Sequence, residues 1–98
     1  MDIKCNREGD TLTVNVIGRV DTSTAPDFEK FINENIGDAT NLVLDLNEMS
    51  YTSSAGLRVL LKTQKMMNQR GSMKLIGVQD TVMEILEITG FSDILTIE

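Results

Sequence analysis

Two short apolar runs constrain the fold of this chain more than any other feature of its sequence: NLVLDL at 41–46 and MKLIGV at 73–78. Nearly continuous apolar runs of this length are typical of strands buried inside a parallel sheet. Between them, SAGLRVLLKTQKMMNQRG at 54–71 has the apolar spacing of a helix that ends at its glycine. A strand, a helix and a second strand in this order predict a right-handed crossover between parallel strands, with the helix packed on the sheet.

The remaining segments extend this unit to the order β-β-α-β-α-β-α. IKCNREGDTLTVNVIG predicts a hairpin that turns at Glu8-Gly9-Asp10. A helix that is capped by Ser23 or Thr24 and stopped by Gly37 follows. QDTVMEILEITG predicts a last amphipathic helix, and FSDILTIE a final short strand. We therefore expect one α/β domain over residues 1–98, with a mixed, mostly parallel central sheet, helices packed against it and NLVLDL as a central strand covered on both faces.

The composition argues against most kinds of catalysis. The chain has no histidine, which excludes the Ser-His-Asp and Cys-His nucleophiles and removes the commonest metal ligand. Its single cysteine, Cys5, makes neither an internal disulfide nor a thiolate zinc site, and we expect it to lie buried in a strand. Neither GxGxxG nor GxxxxGK[ST] occurs. The sequence therefore predicts no catalytic residues, no metal and no cofactor.

The charge is negative overall but unevenly distributed. The net charge of -6 argues against nucleic acid and anionic membranes as partners. Residues 54–74 nevertheless carry five basic side chains and no acidic one. The acidic, polar start MDIKCNREGD is unlike a signal peptide, and no apolar run approaches the ~20 residues that span a bilayer. We expect a cytoplasmic protein, with a monomer as the default.

The basic segment begins at a run of hydroxyl residues, TSSAG at 52–56. A helix needs one N-cap hydroxyl, and Ser53 is the predicted cap, which leaves the Ser54 side chain free at the first helical position. Gly56 indicates a close approach to the helix backbone, by a neighbouring strand or by an external partner. The loop 46–53 follows the carboxyl end of a strand, where binding sites tend to form. A polar turn with a redundant cap is the simpler interpretation.

Three basic residues follow this serine on one face of the predicted helix. Arg58, Lys62 and Lys65 are spaced i, i+4 and i+7, and Gln69 extends the row. Alone, the row is typical of a solvated helix face. A free serine at the head of a basic row, in an otherwise acidic protein, favours a binding surface.

Three separated segments together resemble the STAS domain of bacterial anti-anti-sigma factors. They are GRVDTSTAPDFEKFI, LVLDLNEMSYTSSAGLRVLL, and MKLIGV with the following VMEILEITGFSDIL. The resemblance spans almost the whole chain and implies the STAS fold. It also implies that a serine at the start of the second helix is phosphorylated by an anti-sigma factor with serine kinase activity. In the family, the unphosphorylated protein binds that anti-sigma factor and frees the sigma factor, and a serine phosphatase resets the phosphorylated protein.

Carried over by position, the resemblance makes Ser54 the phosphorylated residue, with Ser53 as the alternative. Asp21 matches an acidic position that the family uses near the partner surface. Many members have Asp where Ser53 stands and an apolar residue where Thr52 stands, so this chain lacks a negative charge beside the target hydroxyl. The expected partner-binding residues are Asp21, Thr22, Ser53, Ser54, Ala55, Gly56, Arg58, Lys62 and Lys65.

Two other functions are compatible with the same residues. A STAS scaffold or accessory subunit, in a stress-signalling, non-transcriptional partner-switching or membrane-transport complex, needs the fold without reversible phosphorylation. A small enzyme or nucleotide-binding protein would use Asp21, Asp45 and the serines, and the absence of histidine and of a phosphate loop argues against it.

Overall fold

The computed structural model describes residues 1–98, and its elements follow the predicted order β-β-α-β-α-β-α with one strand added before the second helix. The elements are β1 (Asp2–Glu8), β2 (Thr11–Val20), α1 (Ala25–Asn35), β3 (Asn41–Asp45), β4 (Met49–Thr52), α2 (Ser54–Asn68), β5 (Ser72–Ile76), α3 (Asp80–Ile88) and a 3-10 turn (Phe91–Asp93). None of the helices is both long enough and apolar enough to cross a bilayer.

The sheet is mixed and mostly parallel, as predicted. β1 and β2 form the expected antiparallel hairpin, and Gly9 turns it with a φ of +59°. β2 pairs in parallel with β3, and β3 pairs in parallel with β5. The resulting order β1-β2-β3-β5 requires the α2 crossover that the two apolar runs predicted.

The fourth strand lies where we predicted a loop, so that part of the prediction is wrong. β3 pairs with Thr11–Asn15 of β2, and β4 pairs with Gly18–Val20, so the two occupy successive lengths of one edge of β2. β4 has only four residues, of which Met49 and Thr52 are buried. A strand this short has no apolar pattern of its own. β4 forms because β2 extends beyond β3 and offers an unpaired edge for it to pair with.

The hydrophobic core lies on one face of the sheet. Leu42 and Leu44 of β3 are buried in a single apolar cluster with side chains of β2, β5 and all three helices. The alternate residue Val43 is only half-buried, and Asp45 accepts a hydrogen bond from the Asn15 side chain at 3.1 Å. The prediction that this strand is covered on both faces is therefore wrong, because its polar neighbours occupy the second face.

The two ends of the chain differ from expectation. Cys5 lies in a strand but is exposed, because β1 is the edge strand of the sheet and the helices cover little of it. The segment 91–98 forms the 3-10 turn and one isolated bridge, between Leu75 and Ile97, instead of a strand. That bridge covers the outer edge of β5.

Candidate functional site

Ser53 caps α2, as predicted. Its Oγ accepts a hydrogen bond from the Gly56 amide at 3.3 Å, and its carbonyl accepts one from the Leu57 amide at 3.0 Å. Its own amide donates to the Val20 carbonyl at 2.8 Å. This last bond ties the start of α2 to the end of β2, so the serine loop and the loop after β2 lie side by side.

Ser54 is the first residue of α2, and its side chain is exposed. In contrast to the Ser53 hydroxyl, the Ser54 hydroxyl makes no hydrogen bond within the chain. The structure therefore places at this position the free alcohol that the serine run predicted. Its role remains a prediction.

Gly56 is buried beneath this loop, so it lies under the surface and not on it. A Cβ on Gly56 would overlap Thr52 Oγ1 and lie 3.0 Å from Val20 Cγ1. The close approach therefore comes from β4 and β2. Of the two explanations for this glycine, a neighbouring strand or an external partner, the structure supports the neighbouring strand. Thr52 is itself buried, which accounts for an apolar residue being suitable at that position.

Asp21 begins the loop after β2 and organises the start of α1. Its Oδ1 accepts hydrogen bonds from Ser23 Oγ at 2.7 Å, from the Ser23 amide at 2.9 Å and from the Thr24 amide at 3.0 Å. Thr24 occupies the N-cap position but makes no side-chain cap bond. The cap position thus falls on Thr24, one of the two residues predicted, but no side chain caps the helix, and the Asp21 carboxylate instead holds the turn that precedes it. The Ser23 hydroxyl, followed by the Thr24 amide, lowers the pKa of Asp21 from 3.8 to about 2.

This lowered pKa predicts an acid-dependent loss of stability. A carboxyl whose pKa is lower in the folded state stabilises the fold above its unfolded value, and the contribution disappears as the pH falls toward about 2. We expect Asp21→Asn, which keeps an acceptor oxygen but does not titrate, to lose less stability than the native protein between pH 4 and pH 2. Urea unfolding at each pH measures this. Parallel curves for the two proteins would contradict the assignment.

A groove of about 280 Å³ lies between α1 and α2, and it begins next to Ser54, at Ala55. Thr22, Ala55, Arg58 and Lys62 of the predicted partner-binding set line it, together with Ala25, Pro26, Glu29 and Val59. Lys62 Nζ binds Glu29 Oε2 at 2.8 Å and so joins the two helices. Lys65 is exposed on the same helix face but lies outside this groove.

One contact between β2 and β4 was missed in the sequence analysis. Arg19 on β2 stacks over the Tyr51 ring on β4, with its guanidinium carbon 4.3 Å from the ring centre. The pair follows from the parallel register of Arg19 with Tyr51. No local sequence pattern predicts this contact, because β4 forms only through its pairing with β2.

The other polar features lie elsewhere. The largest cavity, about 440 Å³, contains none of the predicted site residues and lies near Thr11, Asn41 and Ser72 at the first residues of β2, β3 and β5. Asp45 accepts hydrogen bonds from the Asn15 side chain and from the Asn47 amide, and from neither Ser53 nor Ser54. No three Cys, Asp or Glu side chains come together as metal ligands. The groove between α1 and α2 therefore brings together four of the nine predicted partner-binding residues, and Ser54 adjoins it through Ala55 without lining it.

With this geometry in place, comparison with known proteins decides the family. The family model of the STAS domain matches residues 2–98. The chain belongs to the STAS domain family. The predicted fold class is thereby confirmed.

Relatives of this STAS chain carry the name anti-sigma-B factor antagonist. The protein from Listeria monocytogenes is 35% identical over 94 residues, which are 94% of this chain and 82% of the relative. The protein from Bacillus subtilis is 34% identical over 98 residues, which are 99% of this chain and 88% of the relative.

Solved structures show the same fold at lower identity. An anti-sigma factor antagonist from Mycobacterium paratuberculosis is 22% identical and superposes with a TM-score of 0.86 over 98% of this chain and 85% of its own. SpoIIAA, an anti-sigma factor antagonist solved in unphosphorylated and phosphorylated forms, is 15% identical and gives a TM-score of 0.76 for both. These two matches cover 99% of this chain, and 87% and 91% of the SpoIIAA chains.

Proposed function

We propose that this STAS protein is an anti-sigma factor antagonist switched by phosphorylation of Ser54. Unphosphorylated, it binds an anti-sigma factor and thereby frees a sigma factor. Phosphorylated, it no longer binds. The observation that carries the proposal is the exposed, unbonded Ser54 hydroxyl at the start of α2, beside the groove between α1 and α2.

The relatives support the binding partner, and the fold supports the kind of switch. Proteins about one-third identical over nearly the whole chain are named for antagonism of an anti-sigma factor. SpoIIAA keeps the STAS fold in both its unphosphorylated and its phosphorylated forms. A phosphate on Ser54 would therefore act at the surface, with the fold unchanged. The protein acts by binding, as a regulatory protein and not as an enzyme.

The proposed modification needs a kinase and a phosphatase. The anti-sigma factor, acting as a serine kinase, transfers the terminal phosphoryl group of a nucleoside triphosphate to Ser54 Oγ. The bond from that phosphorus to the bridging oxygen breaks, the nucleoside diphosphate leaves with that oxygen, and the hydroxyl proton passes to a base of the kinase. A serine phosphatase restores the alcohol, with water as the acceptor and inorganic phosphate as the product.

The surroundings of the two serines favour Ser54 over Ser53 as the acceptor. The Ser53 hydroxyl already accepts the Gly56 amide and is only partly exposed. Modifying it would disturb a cap, and the loss of an N-cap side chain costs about 1 kcal/mol. The Ser54 hydroxyl has no such bond to lose, and a negative charge there is compatible with the helix dipole.

Phosphorylation in vitro tests this choice. We expect the anti-sigma factor kinase of the same organism, with a nucleoside triphosphate, to place one phosphate on Ser54, as located by mass spectrometry of proteolytic fragments. Ser54→Ala should prevent the modification, and Ser53→Ala should permit it. A phosphate that persists on Ser53 in the Ser54→Ala protein would overturn the choice, and no phosphate on either serine would favour the scaffold function.

A further inference from the structure

Arg58 is the unpaired cation nearest in sequence to Ser54. It lies four residues further along α2, is exposed and lines the groove between α1 and α2. No carboxylate binds it, whereas Lys62, one turn later in the same row, is held by Glu29 at 2.8 Å. Glu29 is also the only acidic residue that lines the groove. An anion that enters beside Ser54 therefore meets Arg58 without an internal competitor.

Helix geometry puts Arg58 within reach of a phosphate on Ser54. Residues four apart are neighbours on a helix surface, and helical side chains lean toward the N-terminus. Two amides near the start of α2 are already bound, that of Gly56 by Ser53 Oγ and that of Leu57 by the Ser53 carbonyl. The forked guanidinium of Arg58 matches the geometry of a phosphate, which accepts two parallel hydrogen bonds.

We propose that Arg58 changes its binding partner according to whether Ser54 is phosphorylated. In the unmodified protein it binds an acidic side chain of the partner in the groove between α1 and α2. After phosphorylation it turns to the phosphate of its own chain. Phosphorylation then adds a negative charge and removes a positive contact in one event. This inference rests on the proposed function and adds to it the residue that couples the phosphate to the partner surface.

The first test needs no partner. Protein with phosphoserine incorporated genetically at position 54 is titrated by ³¹P NMR, as the native sequence, Arg58→Gln, Arg58→Lys and the control Lys4→Gln. Lys4 is exposed on the edge strand β1 and has no ion pair, so its substitution removes the same charge elsewhere. We expect Arg58→Gln to lower the second acid dissociation constant of the phosphate about threefold, the size of one exposed ion pair. Arg58→Lys should lower it less, and Lys4→Gln should leave it unchanged. Equal titration curves for the native sequence and Arg58→Gln would overturn the pairing.

The second test measures partner binding by unphosphorylated protein. We expect Arg58→Gln to bind the anti-sigma factor at least tenfold more weakly by calorimetry, with Lys4→Gln unchanged, because a hydrogen bond to a charged group is lost. If Ser54→Asp abolishes binding but Arg58→Gln binds like the native protein, the role of Arg58 is wrong and the proposed function stands. If the native protein does not bind, the proposed function fails, and the phosphate titration still decides whether Arg58 pairs with the phosphate.

Discussion

Replacing Ser54 with Asp should weaken binding to the anti-sigma factor about a thousandfold and leave the melting temperature unchanged or slightly higher. A unit charge about 4 Å from a partner carboxylate repels it by ~4 kcal/mol at an effective dielectric constant near 20, which corresponds to about a thousandfold in affinity. Within the chain, the same charge lies at the first residue of α2, where the helix dipole stabilises it by only ~0.3–1 kcal/mol. The effect at the interface is therefore much larger than the effect on the fold. Calorimetric titration and thermal unfolding measure the two separately.

Two variants control for this result. Ser54→Ala removes the hydroxyl without adding charge and should bind about as tightly as the native protein. Thr81→Asp adds the same charge at an exposed residue in the first turn of α3, and we expect it to retain binding. If the Ser54→Asp protein still binds the anti-sigma factor tightly, the electrostatic switch is wrong. Equal loss in Thr81→Asp would show that net charge, and not the position of the charge, controls the interaction.

Replacing Gly56 with Ala should destabilise the protein by about 1–3 kcal/mol, the usual range for an overpacked core site. In an isolated helix the same change gains up to ~1 kcal/mol, so the expected sign is opposite to that of helix propensity. The difference comes from Thr52 Oγ1 and Val20 Cγ1, which occupy the space that the new methyl group needs. Urea unfolding of the purified variant gives the change in the free energy of unfolding. A Gly56→Ala protein at least as stable as the native one would show that α2 does not approach the strands this closely.

A second substitution at Thr52 tests the origin of the clash. Thr52→Ala removes the oxygen nearest the new methyl group and leaves the Val20 contact at 3.0 Å. We expect the double variant to lose less stability than the sum of the two single losses, with a favourable coupling of about 0.5–3 kcal/mol. If the stability losses of the two single variants simply add in the double variant, the clash of the new methyl group is with Val20 and not with Thr52. The matched substitution Ala55→Gly, at the half-buried neighbour in the same helical turn, should follow helix propensity alone.

The residues of the candidate site were predictable to different degrees. The positions of Ser53 as cap and Ser54 as the first helical residue followed from a run of hydroxyls before an apolar helix, because capping depends on residues within one turn. The cap position of α1 at Thr24 was among those predicted, but the predicted side-chain cap bond is absent, and Asp21 binds the residues before the helix in a tight loop. The groove beside Ser54 needs both helices, and its α1 side, with Pro26 and Glu29, has no local signature of binding.

The sequence alone determined the features that depend on interactions between residues close together in the chain. Apolar runs, turn glycines and caps identified the hairpin, the three helices and the parallel crossover, because each is decided by neighbours in the chain. The family signature likewise lies in contiguous residues, and the match over residues 2–98 confirms it.

Only the tertiary structure decided what depends on distant partners. β4 forms because β2 extends beyond the end of β3, and Cys5 is exposed because its strand lies at the sheet edge. Gly56 is required because α2 packs on β2 and β4, and no pattern within the helix specifies how near they come. The physical reason is common to all three: burial and pairing depend on surfaces that residues far apart in the chain bring together, and those surfaces exist only after the chain has folded.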